Sequence, residues 1–79
     1  SKLRYELELA YKKLAQAQSN LANAEENLKL ADESFKAGMA SSSDLMAAQT
    51  AWLSAKGDVL DARIEIEIDR LYLNQAIGN

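Results

Sequence analysis

The sequence predicts an all-α fold, an antiparallel two-helix coiled-coil hairpin, on three observations. The 79 residues include no proline and only three glycines, in a background rich in Ala, Leu, Glu, Lys and Gln, which favour helix. Two stretches of similar length repeat apolar residues at seven-residue spacing. Between them lies one stretch that cannot be a straight helix, SFKAGMASSSDL at residues 34–45, where Gly38 is followed by three successive serines.

The first helix is expected over about residues 3–37. Its large row is Leu7, Leu14, Leu21, Leu28 and Phe35, and Leu3, Ala10, Ala17, Ala24 and Ala31 fall at the interleaved three- and four-residue offsets of a heptad seam. One row is bulky and the other is mostly alanine.

The second helix, over about residues 44–77, repeats the device with Leu45, Trp52, Val59, Ile66 and Leu73 in the large row and Ala48, Ala55, Ala62, Asp69 and Ala76 in the small one. Helices of this size are about 50 Å long, and two of equal length joined by a short loop favour an antiparallel hairpin. The large rows then pair Phe35 with Leu45, Leu28 with Trp52, Leu21 with Val59, Leu14 with Ile66 and Leu7 with Leu73, so the turn fixes the register. Alanine along one row lets the backbones approach toward the lower end of the usual interaxial range of about 8–10 Å.

One segment argues against helix. ARIEIEIDR at residues 62–70 alternates apolar and charged residues at the period of a strand. No turn residues bound it and no second strand exists to pair with it, so it is read as helix. On a helix, Ile64 and Ile68 leave the seam and join Leu53, Gly57, Leu60 and Leu71 in a second apolar stripe. A helix with two apolar stripes expects two partners.

The turn is expected over residues 38–43. Gly38 stands where a helix C-cap wants positive φ, and Ser41, Ser42 or Ser43 can each offer the oxygen that caps the next helix. Asp44 suits a first turn, where the helix dipole favours negative charge.

Composition narrows the function. A net charge of −3 with acids and bases interspersed gives no basic stripe for nucleic acid and no polybasic patch for an anionic membrane surface. Without cysteine or histidine the chain can build neither a zinc site nor a Cys/His nucleophile pair. The carboxylate pairs Glu25–Glu26 and Glu65–Glu67 lack the cleft that acid–base chemistry needs, so neither enzyme activity nor a cofactor is expected. No apolar run is long enough to span a bilayer, so direct membrane contact by this segment is not expected. The chain begins at Ser1 without an initiator methionine or a signal segment, and is expected to be a piece of a larger protein whose targeting sequence lies elsewhere.

Several motifs together match a known family. They run through SFKAGMASSSDLMAAQ, then SAK, DAR and LNQAIG, with Phe35 three before the turn glycine, Asp44 six after it and Gly78 forty after it. With Ala55-Lys56 and Ala62-Arg63 at their offsets, residues 30–79, and more loosely the whole chain, resemble the periplasmic helical hairpin of the outer membrane efflux proteins, the TolC-like channels of Gram-negative bacteria. The spacing is more similar to the second of the family's two repeats. The resemblance implies a homotrimer with a β-barrel in the outer membrane and an α-helical tunnel across the periplasm, working with a periplasmic adaptor protein and an inner-membrane pump in the export of small molecules. The break at Gly38 would be the periplasmic tip.

Carried over residue by residue, Ala37, Gly38, Met39, Ala40 and Ser41 match the family's adaptor-docking turn, with Ala37 in place of valine. Asp44 matches a pore-constricting aspartate, a role that stands beside the plainer one of a first-turn residue. Phe35 lies where some members carry a gating tyrosine, and lacks its hydroxyl. Ala40 and Ala47 fall where some members have an arginine and a second aspartate, so a gate here must be held differently. Trp52 is read as seam packing, Asp69 as a register-fixing residue that reaches Lys13 or Arg70, and Tyr5, Tyr11 and Tyr72 as amphipathic packing at the end away from the tip. The alternative to a channel hairpin is a coiled-coil interaction module, such as an adaptor's own hairpin or a scaffold protein. In either case the second stripe leads to the expectation that the isolated chain self-associates, as a dimer.

Overall fold

A computed structural model describes residues 1–78, and Asn79, the last residue of the expected hairpin, lies outside the described residues. The chain forms two α-helices of 35 residues each, α1 (Lys2–Lys36) and α2 (Ser42–Ala76), which pack against each other. Each helix alone is about 52 Å long. The whole chain measures 61 × 13 × 13 Å, so the two lie side by side and antiparallel rather than end to end. The fold is the all-α hairpin that the heptad rows predict, and the stretch ARIEIEIDR lies within α2.

The narrow cross-section follows from the alanine row. A 13 Å extent, less a Cα radius of about 2.3 Å on either side, leaves about 8 Å between axes, which only small contact residues allow. The two cross dimensions are equal, as they are when two helices wind about each other instead of running flat. A strict seven-residue repeat imposes that winding.

Burial marks the seam. The buried residues are Ala10 and Ala17 of α1 with Ala48, Ala55, Val59, Ala62 and Ile66 of α2, and all belong to the two expected rows. Ala17, Val59 and Ala62 form the central cluster, with Leu14 and Leu21 packed against it. Leu21 thus packs against the cluster to which Val59 belongs. Leu28 and Trp52 line one shallow groove, and Leu14 and Ile66 another, as the pairing through the turn requires. The leucines stay half-buried because a two-helix structure has no third element to cover their outer sides.

Two expectations are corrected at the seam's edges. Phe35 does not close the last layer, since α1 ends one residue later and no further turn covers the ring, which is 40% exposed. Asp69 reaches neither Lys13 nor Arg70. Lys13 Nζ instead pairs with Glu65 Oε1 at 3.4 Å, and Arg70 Nη1 with Glu67 Oε1 at 3.6 Å, because the longer glutamates stand on the flanks while Asp69 sits half-buried in the seam. Both pairs are well exposed, and such pairs contribute about 0–1 kcal/mol. Trp52 is half-buried like the seam leucines, with Lys56 Nζ over its ring at 4.5 Å from the centroid. The tyrosines Tyr5, Tyr11 and Tyr72 are exposed.

The close approach gives a direct test. Ala62→Leu forces bulk into the central cluster and is expected to destabilise the hairpin by about 1–3 kcal/mol. Ala22→Leu, at an exposed position of α1, is expected to change stability by less than about 0.5 kcal/mol. Urea unfolding followed by circular dichroism measures both, and equal effects would show that the alanine row does not set the helix spacing.

Candidate functional site

The candidate site is the tip, where the chain must leave one helix and enter the next within five residues. The end of α1 is closed by glycine. Ala37 still has helical angles (φ −82°, ψ −1°), and Gly38 then turns left-handed at φ +75°. The Gly38 N–H donates to Phe35 O at 3.0 Å and the Met39 N–H to Ser34 O at 2.8 Å, the two crossed bonds of a Schellman motif. A side chain at Gly38 would meet no atom within 4 Å. The position therefore selects glycine through its backbone conformation and not through lack of room.

The start of α2 is closed by a capping box. Ser41 is extended (φ −79°, ψ 163°) and its Oγ accepts the Asp44 N–H at 3.0 Å, while Asp44 Oδ2 accepts the Ser41 N–H at 3.1 Å. This fixes which serine acts. Ser42 and Ser43 lie inside the first turn, so α2 begins two residues earlier than the expected boundary. The spacing of Ser41 and Asp44 is the S-x-x-D signature of such a box, which was present in the sequence but lost among three adjacent serines.

Each candidate residue has a defined place. Ala37, Gly38, Met39 and Ser41 are exposed, Met39 most of all at 83%, and Ala40 is half-buried. Phe35 lies one helical residue before the end of α1, joined to Gly38 through its carbonyl. Asp44 is brought to Ser41 and serves as its cap, with its side chain still exposed. Beside the turn, Lys36 Nζ pairs with Asp32 Oδ2 at 2.9 Å, a contact that nothing in the heptad rows indicates. The hydrogen bond and charge of Asp32 raise the Lys36 ammonium above its ordinary value, so the small stabilisation from this pair is present below the unfolded-state value and lost only in strongly alkaline solution.

Among the described residues there is no cluster of acidic ligands able to hold a metal and no buried unpaired side-chain polar atom, and no helix is long and apolar enough to cross a membrane. What the tip offers is a small, hydrogen-bonded backbone knuckle flanked by one methionine and one phenyl ring.

The family model described as outer membrane efflux protein matches residues 1–79, and the chain belongs to that family. It is thus part of a component of an outer membrane efflux channel of the TolC-like kind, a transport family located in the outer membrane. No curated protein and no solved structure matches the chain.

The cap can be tested at single-residue resolution. Ser41→Ala removes the Oγ that accepts the Asp44 N–H and is expected to destabilise the hairpin by about 1 kcal/mol, with Ser43→Ala within about 0.5 kcal/mol of the parent. Thermal unfolding of both variants measures this, and a Ser43→Ala effect as large as that of Ser41→Ala would contradict the assignment.

Proposed function

We propose that this hairpin is a periplasmic segment of a homotrimeric efflux channel, and that its tip docks the periplasmic adaptor protein that links the channel to an inner-membrane pump for export of small molecules. The observation that carries the reading is the closure of the tip on itself. The Schellman motif and the capping box bond Ser34 O, Phe35 O and the N–H groups of Ser41 and Asp44 within the turn itself, so the turn holds its shape by its own residues and the outer surface of Ala37, Gly38, Met39, Ala40 and Ser41 is free to meet a partner. The small residues let a partner's backbone come close, and Met39 supplies an adaptable apolar contact.

Asp44 acts in the same reading as the pore-constriction residue. Its carboxylate keeps the cap while adding negative charge beside the turn, and a ring of such charges from several hairpins favours cations at a pore mouth. Phe35, exposed one turn from Met39, packs against a neighbouring tip and replaces a hydroxyl-mediated lock with apolar contact.

Bulk at Gly38 separates docking from folding. In the full-length protein, Gly38→Trp is expected to abolish efflux while the trimer still assembles. Gly38→Ala carries the same backbone strain, about 1–2 kcal/mol for a residue with a Cβ at positive φ, without the bulk, and is expected to keep efflux. Drug susceptibility of cells expressing each variant reads the outcome. Resistance unchanged by Gly38→Trp, or lost equally in both variants, would refute docking at this turn.

A further inference from the structure

Both helices carry their poorest helix formers at the same height. Gly57 is the one glycine within α2, and Ser54, Asp58 and Asp61 stand around it, whereas on α1 Ser19, Asn20 and Asn23 fall together. Relative to alanine, glycine disfavours its own helical turn about fivefold, and serine, asparagine and aspartate up to about threefold each. Asn20 Oδ1 accepts from Gln16 Nε2 at 3.0 Å, which ties that residue back toward the base. The register that sets Leu28 beside Trp52 and packs Leu21 against the cluster holding Val59 puts Asn23 level with Gly57, between those two layers.

Nothing within the hairpin asks for glycine at position 57. The residue is helical and exposed, its φ is not left-handed, and a side chain there would meet no atom within 4 Å. What glycine adds is a stretch of backbone that water can reach, one turn after Ser54, in a helix that bends more readily there.

Packing differs on the two sides of this level. Toward the base stand the central cluster of Ala17, Val59 and Ala62 and the cross-helix pair of Lys13 with Glu65. Toward the tip, beyond Ala55, Ala48 is the one buried position among the described residues, and Leu28, Leu45 and Trp52 line an open groove. The turn itself is closed by its Schellman and capping bonds. A firm base and a firm turn are thus joined through a soft level.

We infer that the hairpin carries a flexure at the level of Asn23 and Gly57, about which residues 24–56 tilt as one body against the base. The pivot lies about 22 Å along α2 from its first residue. Ala55 and Val59 are buried beside it, so the seam stays in contact and the tilt lengthens backbone hydrogen bonds on the outer faces instead of parting the helices. The turn changes its angle without opening its own bonds. The flexure belongs to the hairpin's own residues and stands whether or not the tip docks an adaptor.

Amide hydrogen exchange of the intact 79-residue chain at micromolar concentration, read residue by residue by mass spectrometry, tests this. Protection is expected to dip at Gly57–Asp61 and at Asn23–Asn27, and to be higher on both sides, at Met46–Trp52 and Leu28–Asp32 toward the tip and around Leu14 and Ile66 toward the base. Gly57→Ala is expected to raise protection about fivefold at Gly57–Asp61 and, through the shared seam, to raise it at Asn23–Asn27 as well. Asn23→Ala is expected to raise both by about two- to threefold. Thr50→Ala, at an exposed position of α2 nearer the tip, is expected to leave both unchanged. Far-UV circular dichroism confirms that each variant is helical. Protection that falls steadily toward the turn, protection that is uniform along both helices, a Gly57→Ala effect confined to α2 or spread evenly over the chain, or an equal effect of Thr50→Ala would each overturn the inference.

Discussion

Close approach of two backbones along a row of alanines is the constraint on which the rest of this structure depends. With axes about 8 Å apart, the seam has room for Ala10, Ala17, Ala48, Ala55 and Ala62 along one side and for the facing pairs of large residues along the other, and these small residues are among the most buried in the chain. Among the described residues no large side chain is fully enclosed. Two helices cannot surround a leucine, so the hairpin is long and thin, and much of its apolar surface faces outward. A two-helix unit of this size sits at the margin of independent stability, and the leucines and isoleucines along the outer side of α2 stay exposed.

The same constraint sets the tip. Helices this close must be joined by a turn that reverses the chain in very few residues, and only a left-handed position can do so while keeping the last carbonyls of α1 paired. Gly38 supplies that position, and Ser41 with Asp44 supplies the reciprocal bonds at the start of α2. Because both ends are closed by their own residues, the outside of the turn carries no structural duty. In this outer membrane efflux protein, that leaves the outer side of the turn exposed.

Most of this architecture was legible because the heptad rows are nearly free of exceptions and a single glycine interrupts them. The family was legible from offsets, since Phe35, Gly38, Asp44, Ala55-Lys56, Ala62-Arg63 and Gly78 are individually common and collectively distinctive. Other features depend on reach or cover, which periodicity does not encode. Asp69 occupies a seam position, but its side chain is short, and the flanking Glu65 takes Lys13. Phe35 continues the large row by number, yet the helix ends beside it and leaves the ring uncovered. The choice of Ser41 as cap depended on which of three serines stood three residues before an acid, a local spacing that the run itself obscured.

The central claim is that the turn places the alanine rows in one register along the whole hairpin. A pair of cysteines at Ala17 and Ala62, neighbours in the buried cluster, tests it against a pair displaced by one heptad, Ala17 and Ala55. Oxidation of each double variant under mild conditions, read as intramolecular disulfide by mass spectrometry, is predicted to bridge positions 17 and 62 rapidly and to leave 17 and 55 as free thiols. Equal bridging of both pairs, or preference for the displaced one, would contradict the register.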